Sequence, residues 1–151
     1  MEIRNDKGEV LYDSKDDRMA RDLDSIDLSG HDLRSAVLEG VVLSDSKLRS
    51  ADLRGSDLYW AVLFRADLQG SDLRDSILCG ADLKEANLDG ADLRGADLGP
   101  DNLGGSTQLQ GARLLGAKLS GATMTLAEYD DATMFPVGFD PQLHGMRKVC
   151  K

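Results

Sequence analysis

The sequence predicts an all-β solenoid, in which a short repeating unit stacks on itself. Leucine occupies every fifth position from Leu23 to Leu103, 17 successive times. An Ala or Ser stands two positions before most of these leucines, and Asp or Asn usually stands between the two. Aromatic residues make up only 5% of the chain, so a core of large rings is excluded. Leu and Ala must build the interior instead, and the search for internal repeats decides the fold.

A five-residue period fits neither regular secondary structure. An α-helix turns about 100° per residue and would scatter leucines spaced by five around its axis. A strand alternates its side chains between two faces, so an odd period would place successive leucines on opposite sides. The period fits a chain that turns a corner every five residues, with the leucine of each pentad pointing inward. Four corners then close a square coil of about twenty residues, and coils stack at the strand spacing of about 4.8 Å.

The repeat segments resemble a known family. Residues 51–55 (ADLRG), 81–85 (ADLKE) and 91–95 (ADLRG) are similar to the units of pentapeptide-repeat proteins. The resemblance implies a right-handed quadrilateral β-helix of about 5 to 6 coils over residues 21–136, roughly 28 Å long at the strand spacing. It specifies the fold far better than the function. The predicted structural core consists of the central leucines, among them Leu53, Leu58, Leu63, Leu68, Leu73, Leu78, Leu83, Leu88 and Leu93.

The repeat shifts its phase once. After Leu103 the next centres are Leu109, Leu114, Leu119, Met124, Tyr129 and Met134, with Ala112, Ala117, Ala122, Ala127 and Ala132 as the inward small residues. We therefore expect a one-residue slip near 104–106, just after Gly99-Pro100. A single extra residue of this kind is typical of a bulge at a corner.

Both ends of a solenoid need caps, because they expose leucines and unpaired strand edges. Residues 1–20 are predicted to form the N-terminal cap, with a hairpin in which Ile3 and Val10 to Tyr12 flank the turn-forming residues 5–8 (NDKG). Residues 137–151 are predicted to form the C-terminal cap. There Asp140-Pro141 has the composition of a helix N-cap followed by a first-turn proline, which predicts a short helix.

The charge of the chain restricts its partners. The formal net charge is -9, and residues 21–105 carry 17 acidic residues against 9 basic ones. Such a surface disfavours direct nucleic-acid binding and contact with anionic membranes, and it suits a basic partner. The N-terminus lacks the layout of a signal peptide, and no run of 18 apolar residues occurs. Cys79 and Cys150 lack metal-ligand or redox spacing, so a reducing, cytoplasmic location is expected.

Residues twenty apart should stack in columns along the rod. One column then holds Asp32, Asp52, Asp72 and Asp92, and the column beside it holds Arg34, Arg54, Arg74 and Arg94. The favoured interpretation is a solvated ladder in which opposite charges offset the repulsion within each column. The alternative is an anion site on the arginine column. It is disfavoured because each arginine already has a carboxylate neighbour.

An apolar run breaks the polar pattern of the outward positions and is the candidate partner surface. Exposed apolar patches that are rimmed by charge often mark contacts with partners or with a second copy. Coverage by the N-terminal segment and simple tolerated exposure are the alternatives. The candidate surface consists of Val42, Tyr59, Trp60, Val62, Phe64 and Ile77.

Catalysis has little support in the sequence. His31 and His144 stand far apart and neither neighbours a nucleophile arrangement. No phosphate loop, nucleotide fingerprint or calcium-binding repeat occurs, so no catalytic residue, cofactor or metal site is expected. A packed coil also leaves no lumen for a substrate.

Two functions remain open at this stage. The first is a non-catalytic structural or protein-interaction module, a rigid acidic rod that presents a fixed surface to an unidentified protein partner. The alternative is implied by the resemblance: like some members of the family, the protein would be a DNA-mimicking inhibitor or protector of a type II topoisomerase, gyrase. The tail resembles those of small family members from photosynthetic bacteria. The sequence does not decide between a monomer and a homodimer.

Overall fold

The computed structural model describes residues 2–13 and 22–150. Four strands form two small sheets, with β1 (Glu2–Arg4) antiparallel to β2 (Val10–Asp13), and β3 (Glu128–Tyr129) parallel to β4 (Arg147–Lys148). Most of the remaining pairing consists of single parallel bridges between residues twenty apart. The described residues contain no helix, and so none that could cross a membrane.

The parallel bridges form four ladders, each of which receives one pentad from every twenty residues. Ladder 1 joins Asp22, Val42, Val62, Asp82, Gln108 and Glu128. Ladder 2 joins Asp27, Lys47, Asp67, Asn87, Arg113 and Met134. Ladder 3 joins Asp32, Asp52, Asp72, Asp92 and Lys118, and ladder 4 joins Val37, Asp57, Ile77, Asp97 and Thr123.

Each corner is a β-turn that the pentad sequence encodes. The N–H of the small residue donates to the carbonyl of the preceding central leucine, as Ala66 does to Leu63 at 3.0 Å. The residue between them, two positions after the leucine, has a positive φ, for example 54° at Arg65 and 66° at Gly70. A positive φ at the third position of a turn is that of type II turns and favours Gly, Asn or Asp. The five-residue period is therefore the length of one strand rung and one turn.

The core is a stack of leucines with Ala and Ser beside them. The central leucines from Leu28 to Leu98 are fully buried, and each such side chain contributes about 1.5 to 3 kcal/mol through burial. The predicted core leucines from Leu53 to Leu93 all lie in this stack. The alanines before them, such as Ala61 and Ala81, are equally buried, because only a small side chain fits beside a leucine at the turn.

The N-terminal hairpin lies against the first coil. Ile3 in β1 is only 1% exposed and joins the leucine core. The hairpin continues the hydrogen bonding of the coil, since Val37 N–H donates to Arg4 O at 2.7 Å and Asp6 N–H donates to Ser35 O at 3.0 Å. Within the predicted cap of residues 1–20, Met1 and residues 14–20 lie outside the described part of the chain.

The C-terminal cap differs from the sequence expectation. Residues 141–145 form hydrogen-bonded turns rather than a helix, and Asp140 Oδ1 accepts only Gln142 N–H, at 2.9 Å. The chain enters β4 at Arg147, which leaves room for little more than a single turn. The end of the core is closed by rings instead, with Tyr129 edge-on to Phe135, Phe135 stacked on Phe139 and Phe139 stacked on His144.

The last inward position also differs from the expected one. Ladder 2 pairs Arg113 with Met134, twenty-one residues on, so one extra residue follows Tyr129. Met134 is consequently 46% exposed, and Phe135 packs against the core in its place. Ala132, expected to point inward, is exposed.

Candidate interaction site at an inserted loop

An inserted loop interrupts the repeat between ladders 4 and 1. Asp82 pairs with Gln108, twenty-six residues on, whereas the earlier rungs of ladder 1 are twenty residues apart. Residues 99–107 therefore contain six residues more than a regular coil needs. The expected inward centre Leu103 is wrong, because this side chain is 78% exposed at the loop. The slip near 104–106 is a six-residue insertion rather than one extra residue.

The carboxylate of Asp101 organises this loop from within. Its Oδ1 accepts the N–H groups of Leu103 at 2.8 Å and Gly105 at 2.7 Å. The Asp101 N–H donates to Gly105 O at 2.8 Å, which closes the loop at its base. Asp residues commonly stabilise turns by accepting backbone N–H groups in this way. The loop is thus a hydrogen-bonded turn with Leu103 at its tip.

Tyr59 and Trp60 fasten the loop to the rod from two coils earlier. Trp60 Nε1 donates to Asp101 Oδ2 at 2.6 Å. Tyr59 Oη donates to Asn102 Oδ1 at 2.7 Å and accepts Asn102 N–H at 2.8 Å. The hydrogen bond from Trp60, followed by those from the loop backbone, lowers the pKa of Asp101. The loop is therefore held by its own turn and by two aromatic side chains.

Gly80 makes room for this arrangement. It occupies the turn position one coil beyond Trp60, and a Cβ there would meet Trp60 Cδ1 at 2.5 Å and Asp101 Oδ2 at 3.0 Å. Gly80 also has a φ of +69°, a conformation that glycine adopts at no steric cost. The indole can lie along the rod toward the loop only because this position lacks a side chain.

Thr107 anchors the return of the loop to the core. Its side chain is fully buried, and its Oγ1 lies 2.9 Å from Leu78 O and 3.2 Å from Gly99 O. The same oxygen accepts Gly80 N–H at 3.1 Å. Both ends of the loop are therefore fixed, and its tip is displayed by a rigid base.

The predicted charge ladder forms along ladder 3. Each arginine donates to the aspartate two residues before it through Nε, at 2.8 Å in all four pairs, and through Nη2. Arg54 Nε also lies 3.6 Å from Asp72 in the next coil. The arginine hydrogen bonds lower the pKa of the aspartates, to about 2 at Asp32 and Asp92. The guanidinium groups are thus engaged by carboxylates, which disfavours an anion site.

Comparison with known proteins identifies the repeat. A family model described as pentapeptide repeats matches residues 26–63 and 61–99, with eight copies. A pentapeptide repeat protein of the cyanobacterium Nostoc Pcc 7120 is 35% identical over 74% of this chain and 84% of its own, with a TM-score of 0.37. The chain belongs to the pentapeptide-repeat family. Pentapeptide repeats imply a right-handed β-helix, in agreement with the ladders, and the family is in general structural rather than enzymatic.

Two further structures are similar to this pentapeptide-repeat protein. One, from the cyanobacterium Cyanothece 51142, is 26% identical over 76% of this chain and 87% of its own, with a TM-score of 0.65. Another, from the Arabidopsis thaliana thylakoid lumen, is 31% identical over 82% of this chain and 72% of its own, with a TM-score of 0.41. The comparison with curated proteins finds no match.

The pentapeptide ladders distribute the predicted partner surface over two sides of the rod. Val42 and Val62 bridge each other in ladder 1 and are half-buried. Phe64 lies beyond Val62 and carries the Arg65 guanidinium 4.9 Å above its ring. Ile77 belongs to ladder 4 and is 42% exposed. Tyr59 and Trp60 follow Leu58 at the corner between the two ladders, where the loop partly covers them.

The remaining candidates have structural surroundings. His31 is half-buried and lies edge-on to the Tyr12 ring, with 5.7 Å between the two ring centroids. Burial raises the pKa of the Cys79 thiol to about 11, so this thiol is a poor nucleophile at neutral pH. No group of three or more metal-ligating side chains occurs among residues 2–13 and 22–150. A shallow cavity of about 270 Å³ lies beside Phe64, Lys84 and Cys150.

Asp101, Asn102 and Leu103 were not predicted as site residues from the sequence. Leu103 falls in phase with the repeat, which concealed that its pentad leaves the ladder. The signal was present in the flanking residues Gly99-Pro100 and Gly104-Gly105, because proline cannot donate to a ladder and paired glycines are typical of a loop.

Proposed function

We propose that this pentapeptide-repeat protein is a non-catalytic interaction module. Its β-helix, with each twenty-residue coil closed as a quadrilateral, holds the inserted loop as a fixed contact for a protein partner in a reducing, cytoplasmic compartment. The observation that carries the proposal is the exposure of Leu103, at 78%, on a loop fastened by Asp101, Tyr59 and Trp60.

An exposed leucine leaves apolar surface in contact with water, which is unfavourable, and it adds no buried contact to the fold. Protein contacts are commonly centred on a few side chains that enter a pocket of the partner. Binding through a preorganised loop is stronger, because little conformational entropy is lost on association. The loop provides both features, since its turn and its aromatic base hold Leu103 before any partner arrives.

The charge supports a protein as the partner rather than a nucleic acid or an anionic membrane. The net charge is -9, and the loop adds Asp101 and no basic residue. A DNA backbone carries uniform negative charge. On ladder 3, by contrast, each aspartate of the column is paired with a guanidinium, so this side of the rod does not resemble such a backbone. The observations on the loop therefore favour the interaction module over a DNA mimic.

The test is affinity capture from an extract of the source cells with three immobilised proteins. These are the wild type, a Leu103→Ser variant and a Leu143→Ser variant. Leu143 is the matched control, because it is 84% exposed but lies in the C-terminal cap. We expect a partner that the wild type and Leu143→Ser retain and Leu103→Ser loses at least tenfold. Equal capture by all three proteins contradicts the proposal.

A further inference from the structure

The surface of ladder 4 differs from the rest of the rod in the type of charge it carries. Its pentads span residues 36–40, 56–60, 76–80, 96–100 and 122–126 and contain no Lys or Arg. Each of the other three ladders carries basic residues, such as Lys84 near ladder 1, Arg49 near ladder 2 and Arg54 near ladder 3. Ladder 4 therefore presents only negative charge to a partner.

The acidic side chains on this surface have no basic partner among the described residues. Asp57 and Asp97 accept only backbone N–H groups, from Tyr59 at 3.0 Å and Gly99 at 2.9 Å. Glu39 is exposed and forms no ion pair with a described residue. On ladder 3, by contrast, arginines already neutralise the aspartates. A cation from outside would therefore meet carboxylates on ladder 4 that no described Lys or Arg neutralises.

Exposed apolar side chains alternate with these acids along the rod. Ladder 4 runs through Val37, Asp57, Ile77 and Asp97 in that order, and Val37 and Ile77 are 50% and 42% exposed. Arg4 of the hairpin adjoins this ladder, since its O accepts Val37 N–H, and its side chain is engaged by Glu2 and by Gly8 O. The surface is thus a sheet face with apolar and acidic positions in strict alternation.

The spacing of these positions selects the conformation of a partner. Val37 and Ile77 lie two rungs apart, about 9.6 Å at the usual strand spacing. Residues seven apart on one face of an α-helix are about 10.5 Å apart along its axis. Residues on one face of an extended strand recur at about 6.8 Å, which matches neither one rung nor two. A helix laid along the rod therefore keeps its side chains in register with ladder 4, and a strand does not.

We propose that ladder 4 binds a basic amphipathic helix of a partner protein. Apolar residues seven positions apart contact Val37 and Ile77. A Lys or Arg midway between them pairs with Asp57, and a second one, three or four positions beyond the residue that contacts Ile77, pairs with Asp97. The proposal rests on the interaction function proposed above and specifies the chemistry of the partner. Trp60, 39% exposed, and the loop with Leu103 stand at the corner beside ladder 4 and bound the binding surface on that side.

The test uses a synthetic peptide as the probe, measured by fluorescence anisotropy at about physiological ionic strength, where the Debye length is about 8 Å. The 18-residue peptide carries Leu seven residues apart and Lys at the midpoints. One control peptide has the same composition in scrambled order, and another has Glu in place of Lys. We expect the periodic peptide to bind at least tenfold more tightly than either control.

Two protein variants localise the binding. Ile77→Lys places a positive charge on ladder 4, and Met134→Lys places the same charge at the equivalent outward position of ladder 2. The two side chains are 42% and 46% exposed, so the substitutions are matched in burial. We expect Ile77→Lys to weaken binding of the periodic peptide at least tenfold and Met134→Lys to change it less than twofold, with unchanged circular dichroism spectra.

Three results overturn the inference: no binding of the periodic peptide, equal binding of the scrambled peptide, or an equal loss in both protein variants. Self-association through ladder 4, seen as a dimer that Ile77→Lys dissociates in sedimentation, also overturns it. The outcome is distinguishable from that of the proposed function. If the peptide fails while Leu103→Ser still abolishes partner capture, the interaction module stands and only its partner chemistry is wrong.

Discussion

Replacing Gly80 by Ala tests whether Trp60 and the inserted loop form one structural unit. The added Cβ would lie 2.5 Å from Trp60 Cδ1 and 2.8 Å from Nε1, both closer than a carbon contact allows. The indole must therefore move away from Asp101. The matched control is Gly90→Ala, because Gly90 has the same φ of +69° but no atom within 4 Å of its Cβ position.

The expected loss follows from two contributions. Both variants place alanine in the left-handed region, which costs about 1 to 2 kcal/mol. Gly80→Ala additionally displaces Trp60, which is 39% exposed. A tryptophan buries up to about 250 Å², so the covered three fifths, at about 25 cal/mol per Å², is worth at most about 4 kcal/mol. If the ring loses between a quarter and a half of this cover, Gly80→Ala is less stable than Gly90→Ala by about 1 to 2 kcal/mol.

The assay is chemical denaturation followed by circular dichroism, combined with tryptophan fluorescence of the native proteins. Trp60 is the single tryptophan of the chain, so its emission and its quenching by acrylamide report on this site alone. We expect increased quenching in Gly80→Ala and unchanged quenching in Gly90→Ala. Equal stability of the two variants, with identical emission, would refute the coupling of Trp60 to the loop.

Three further predictions test the rod itself. Leu73→Asp should abolish the cooperative unfolding transition in circular dichroism, because it places an unpaired charge at a fully buried position, at a cost of at least about 4 kcal/mol. Leu103→Asp, on the exposed loop, should leave the transition intact. Stability to urea should be constant above pH 4 and fall toward pH 2. The paired aspartates have folded pKa values below the ordinary 3.8, reaching about 2 at Asp32 and Asp92, and groups with a lowered pKa lose their stabilising contribution as they are protonated. A flat profile would show that the charge ladder does not contribute to stability. In a gyrase supercoiling assay we expect no inhibition and no protection from quinolones at micromolar protein, and either effect would revive the DNA-mimic alternative.

The repeat could be predicted from the sequence because one physical rule generates it. A central leucine buried at every fifth residue requires a corner after each one, and the ladders then follow from the backbone hydrogen bonds that unpaired strands need. The columns of Asp52 and Arg54 also followed, because a constant coil length makes residues twenty apart neighbours. The N-terminal hairpin could be predicted from its turn residues, and Ile3 is buried as an anchor of that cap.

The size of the insertion could not be predicted from the period. One extra residue and six extra residues differ by one full period of five. Both insertions therefore leave the later leucines in the same phase of the repeat. Leu103 fits the phase by chance, and a slip of one residue was the simpler interpretation. The pairing of residues across the loop, such as Asp82 with Gln108, distinguishes the two. The same limit explains Met134 and Phe135, where adjacent apolar residues both suit the inward position.

The coverage of Trp60 was hidden for a related reason. The apolar outward residues from Tyr59 to Phe64 were recognised as an exception to the repeat. The residues that contact Tyr59 and Trp60, however, lie over forty positions later, in a loop that the sequence pattern did not predict. Gly80 contributes nothing to the hydrophobic pattern, although the site depends on it. Contacts between an irregular segment and a regular one are not encoded by periodicity, because only one of the two segments obeys it.

The position of the insertion explains how this rod can carry an inserted loop at little cost to its stability. The ladders continue on both sides of the loop, since Asp82 pairs with Gln108 and Asp97 pairs with Thr123, so no rung is lost where residues 99–107 leave the coil. In a solenoid each repeat contacts only its neighbours, and stability is close to a sum of such local terms. A loop that leaves every rung intact therefore removes almost nothing from that sum. The order of the loop comes from a few side chains that the core does not use, namely Tyr59, Trp60 and Asp101. Substitutions in the loop can therefore alter the surface without altering the fold.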